Sequence, residues 1–71
     1  MKFNDKFKYY AVATESSFYV KKGETQVIPL NELDETLKTR TFKFGYSENM
    51  HWDTDTLPCD IVKETTHYDF I

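Results

Sequence analysis

The sequence predicts an α+β domain that is mainly β: a small antiparallel sheet of four or five strands, one curled layer or an open barrel, with one short helix against it. Two segments alternate aromatic or apolar residues with polar ones at a period of two, the spacing of a half-buried strand. Gly23, Pro29 and Pro58 punctuate the chain where turns and strand ends are needed. One stretch alone places leucines four apart behind acidic residues, as a helix does. With 71 residues the chain makes a single domain, 1–71. A chain of that length hides about 60% of the surface its unfolded form exposes, so the core is small.

Residues 6–14, K-F-K-Y-Y-A-V-A-T, put Phe7, Tyr9, Ala11 and Ala13 on one side and Lys8, Tyr10 and Val12 on the other, which predicts a first strand. A polar break from Thr14 to Ser17 precedes a second predicted strand, Phe18 to Val20. Gly23 tolerates positive φ and suits a turn with a bulge, after which Thr25 to Ile28 should pair back on the second strand. Pro29 lacks an amide hydrogen, so that third strand should end there or lie at a sheet edge. Asn31 is the expected N-cap of a helix from Glu32 to Lys38, with Glu32, Asp34 and Glu35 near its positive end and Leu33 and Leu37 facing the sheet. Residues 39–46, T-R-T-F-K-F-G-Y, predict the clearest strand, with Phe42, Phe44 and Tyr46 on its core side. The polar residues 47–58 are read as a loop, and Cys59 to Thr66 as the last strand, around Ile61 and Val62.

Several function classes lose support at this level. Residues 1–46 carry eight basic and six acidic side chains and residues 47–71 one and six, giving +2 and then -5. Such an acidic half suits a solvated face, or a surface for a basic partner or one that imitates nucleic acid. No apolar run reaches the roughly 20 residues of a membrane span. The single Cys59 and the lack of a cleavable signal pattern predict a reducing, cytoplasmic setting without disulfides.

The stretch N-M-H-W-D-T-D-T-L-P-C-D, residues 49–60, gathers the one tryptophan, the one cysteine and three aspartates. His51, Asp53 and Asp55 alternate, so an extended chain would point them the same way. No zinc-ligand spacing accompanies them, and a calcium-loop register fails where Leu57 and Pro58 stand in place of an oxygen ligand and a glycine. A nucleophilic Cys59 would need a base within reach, and His67 lies eight residues on. No phosphate loop or nucleophile elbow is present. The sequence therefore predicts no enzyme, no metal and no cofactor.

Twelve aromatics exceed what so small a core can hide. Tyr10, Tyr19, Trp52 and Tyr68 are the candidate anchors, joined by His51, Asp53 and Asp55 in the acidic stretch. The expected function is a non-enzymatic interaction module that occupies the surface of a larger protein, itself basic or nucleic-acid-binding. Small acidic inhibitors encoded by phages and mobile elements share this size and lack of catalytic motifs, and eight lysines to one arginine fit an A/T-rich coding sequence. The alternative expectation is a single-strand nucleic-acid binder using Lys8, Lys43 and the strand aromatics, and an unpaired edge near Pro29 would also allow a homodimer.

Overall fold

A computed structural model of the chain describes residues 7–64 and 68–71. Its elements are β1 (Lys8–Ala13), β2 (Thr25–Val27), α1 (Leu30–Thr39), β3 (Thr41–Glu48), β4 (His51–Glu64) and β5 (Tyr68–Phe70). Every strand pairing is antiparallel, in the order β2-β1-β4-β3, with β5 added beside β4. The sheet curls into a half-barrel.

Period-two alternation fixes what that curl encloses. Tyr9, Ala11 and Ala13 of β1 are buried, as are Phe42 and Phe44 of β3 and Leu57, Cys59 and Ile61 of β4. The rings of Phe42 and Phe44 meet edge to face at 5.2 Å between centroids. Leu33 of α1 is fully buried and Leu37 packs beside it, so the helix lays its leucines on the concave side of the sheet.

Four local expectations are corrected. The helix begins two residues early, with Pro29 rather than Asn31 at its N-cap and no side-chain cap. Proline holds φ at -59° there, and its missing amide hydrogen costs nothing at a helix start. At the far end Arg40 adopts φ 55° and bonds back to the Thr36 carbonyl, ending the helix beyond Lys38.

Phe18 to Val20 form no strand. The Ser17 amide donates to the Val20 carbonyl at 2.7 Å and the Val20 amide to Ser17 Oγ at 3.1 Å, tying these residues into a tight local loop. β2 therefore pairs with β1, Val27 opposite Tyr10, rather than with the expected second strand. Gly23 does take positive φ, 92°, and its amide donates to the Ala13 carbonyl.

Residues 47–58 are not a loop. β3 runs on to Glu48, Asn49 and Met50 make a two-residue turn, and β4 starts at His51. Both turn residues have positive φ, 48° and 66°, the conformation of a type I′ turn, whose twist matches that of a hairpin. Pro58 then lies inside β4, where its carbonyl accepts from the Thr14 amide at 3.0 Å. It has no amide hydrogen to give back, and the β1–β4 ladder stops at that rung. The expected strand end at Thr66 and start at Lys6 lie outside the described residues.

The two edge strands of the open barrel are joined by one side chain. Gln26 of β2 donates from Nε2 to the Gly45 carbonyl at 2.8 Å and accepts the Gly45 amide on Oε1 at 2.9 Å. Its carboxamide thus takes the place a neighbouring peptide group would hold on β3, and β2 is drawn towards β3.

Candidate functional site

Because β1 pairs with β4 only from Cys59 to Glu64, the first part of β4 is paired with β3 alone. Past the pairing of Phe44 with Asp55, where Phe44 still belongs to the core, the hairpin extends beyond it. None of the residues His51 to Thr56 is buried, whereas Leu57, Cys59, Ile61 and Val62 all are. The molecule is accordingly elongated, 37 × 22 × 20 Å.

Pleating sorts the hairpin side chains onto two faces. Tyr46 stands opposite Asp53 and Phe44 opposite Asp55, so His51, Asp53 and Asp55 share the concave face with the β3 aromatics. The loop after β1 folds across that face. Ser17 Oγ donates to Asp55 Oδ2 at 2.7 Å, and Tyr19 stacks on Tyr46 with centroids 4.5 Å apart. Phe18 meets Tyr19 edge to face at 4.7 Å and is itself 90% exposed. Tyr46 reaches Asp53 Oδ2 at 3.4 Å.

Carboxylates set the electrostatics of this face. The Glu48 carboxylate, through a hydrogen bond with Tyr19, does most to push that phenol from its ordinary 10.0 up to about 12. Tyr46 is also raised, by partial burial first and then by Asp53 and Asp55. Residues 47–56 contain three carboxylates and no lysine or arginine.

Trp52 occupies the opposite, convex face, opposite Ser47 and diagonal to Gly45. Its six-membered ring lies where a Cβ on residue 45 would have to be, so the glycine makes room for the indole. The remainder of the ring is open, and the residue is 74% exposed. Trp52 thus covers a bare glycine on the outer face, contributes nothing to the core, and presents most of its surface outward. At the tip Met50 is 99% exposed. A left-handed backbone costs a residue with a Cβ about 1–2 kcal/mol, which glycine would avoid.

The residues singled out by sequence do not form one cluster. His51, Asp53, Asp55 and Tyr19 lie together on the concave face, and Trp52 lies behind them. Tyr10 is half-buried on the outer face near the other end of β4, lining with Val12, Val62 and Phe70 a shallow apolar groove of about 380 Å³. Tyr68 is placed by its backbone alone, in β5 opposite Glu64. Phe18, Tyr46, Glu48 and Met50 belong to the hairpin end although sequence reasoning did not select them for it. The alternation on both sides of Asn49-Met50 was the available signal.

Among the described residues no three His, Cys, Asp or Glu side chains converge to hold a metal. Cys59 is buried, and burial first, then Asp60, pushes its thiol pKa up, which disfavours the reactive thiolate. No helix among the described residues is long and apolar enough to cross a membrane. No protein-family model, curated protein or solved structure matches the chain.

Proposed function

We propose that this protein is a non-enzymatic binding module that inserts the β3–β4 hairpin into a basic cleft of a larger protein. The observation that carries the reading is the placement of its exposed apolar groups. Phe18 on one face, Met50 at the tip and Trp52 on the other are 90%, 99% and 74% exposed, around Glu48, Asp53 and Asp55. Aromatic groups on both sides of this end, Phe18 from the loop laid on the concave face and Trp52 from β4 itself, suit a finger enclosed from two sides, and Trp and Tyr are among the commonest interface anchors. A cleft lined by lysine and arginine would complement the carboxylates and speed encounter.

Met50 adds an independent argument. Local energetics favour glycine at its position, so an exposed methionine there is better accounted for by contact with a partner than by folding. Methionine is also an adaptable contact residue. The nucleic-acid alternative draws no comparable support, since Tyr9, Phe42 and Phe44, which would have to stack on bases, are buried in the core.

The test is affinity capture from a nuclease-treated lysate with the wild-type protein and with Met50→Glu and Trp52→Ala variants. A stoichiometric protein retained by wild type and lost with both variants is expected. Retention of nucleic acid alone, or equal capture by the variants, would overturn the reading.

A further inference from the structure

We infer that the hairpin binds its partner by strand addition: the outer edge of β4 between Trp52 and Thr56 accepts an extended, lysine- or arginine-bearing segment. This rests on the proposed function and names the form of the partner. The bond from the Cys59 amide to the Arg40 carbonyl fixes the phase of the β3–β4 ladder. Odd-numbered residues of β4 from His51 to Leu57 direct their backbone groups to β3, and Trp52, Thr54 and Thr56 direct theirs the other way. On that side β1 pairs from Cys59 onward and Thr14 adds the rung at Pro58. The chain then turns over the concave face, held there by the Ser17 hydroxyl on Asp55, with no further backbone rung to β4 among the described residues. Among the described residues no strand continues along Trp52 to Thr56.

An incoming segment would prolong the line of β1, antiparallel to β4, and gain the backbone bonds that give strand addition its affinity. The Thr54 amide now donates to its neighbour's Asp53 Oδ1 at 2.8 Å and would be handed over to the new strand. Side chains flanking the edge select the occupant. Asp53 and Asp55 on the concave side attract cationic residues at alternate positions, and Trp52 on the convex side offers a ring to an apolar or cationic one. A second copy is disfavoured by the same groups. Two β4 edges paired antiparallel about Thr54 would set Asp53 of each directly against Asp55 of the other.

The test uses the isotope-labelled protein and three blocked heptapeptides followed by amide NMR. One alternates lysine and valine, the second is its N-methylated form with the same charges, and the third replaces lysine by glutamate. The expected result is that the first shifts the Trp52, Thr54 and Thr56 amides and slows their exchange, with binding at least tenfold weaker for the other two. Thr54→Pro removes an outward-facing amide without touching the β3 ladder and should lower affinity by a similar factor. Equal binding of the N-methylated peptide would refute strand addition while leaving the acidic hairpin as a docking end. Absence of binding by the first peptide would likewise refute strand addition, whereas the capture experiment decides the proposed function separately. Concentration-dependent line broadening without peptide would instead mark a second copy as the occupant and overturn the inference.

Discussion

Replacing Gln26 by alanine should open the half-barrel at a single point. The substitution removes both hydrogen bonds to Gly45 and leaves the amide and carbonyl of that residue without protein partners in a part-buried setting. Each net hydrogen bond is worth about 0.5–1.5 kcal/mol, and an unsatisfied buried group costs about 1–3 kcal/mol. Water reaches an edge strand, so the low end of both ranges applies, and about 2 kcal/mol is expected. A domain of 71 residues holds roughly 4–10 kcal/mol in all. The loss should therefore lower Tm by about 8–16 °C. Urea unfolding followed by far-UV circular dichroism measures it, because the exposed Trp52 is a poor reporter of the core. Hydrogen exchange adds a local readout, with the Gly45 amide accelerated more than that of Phe44, which bonds into the β4 ladder. A loss below about 0.5 kcal/mol with unchanged Gly45 exchange would show that the carboxamide bridge holds nothing together.

Met50→Gly should relieve the left-handed strain and stabilise the fold by about 1 kcal/mol while weakening partner capture, separating stability from binding. Gly45→Ala should push the exposed Trp52 ring off the strand and cost at most about 1 kcal/mol, an effect absent in a Trp52→Ala background, and a double-mutant cycle by urea unfolding reads that coupling directly. In alkaline titration followed at the tyrosinate band, one component should titrate near pH 12 and vanish in Tyr19→Phe. Since the folded pKa is the higher one, the contribution of Tyr19 to stability is complete below pH 10.0 and declines as the pH rises towards about 12.

What the sequence revealed was governed by local period. Tyr9, Ala11 and Ala13, then Phe42 and Phe44, could be assigned to the core because neighbours two apart on a strand share a face. The shared side of His51, Asp53 and Asp55 followed from the same rule. The hairpin itself was hidden because Asn49-Met50 lacks the glycine that marks a type I′ turn, and aspartates are uncommon in strands. Pro58 looked like a terminator, yet β4 passes through it with its backbone turned towards the end of β1. Phe18, Tyr19 and Val20 have strand-forming side chains, but the Ser17 hydrogen bonds hold them in a loop whose purpose is visible only once Tyr46 lies beneath Tyr19. Gln26 and Gly45 are 19 residues apart, and no periodicity connects them.

The division of β4 into an unburied first part and a buried second part bears on how such a protein can change over time. Substitutions from His51 to Thr56 alter what the hairpin offers without opening a cavity, whereas those at Leu57, Cys59 and Ile61 act on the core. If the hairpin binds as proposed, its preference can change one exposed side chain at a time while the scaffold that holds the hairpin stays the same.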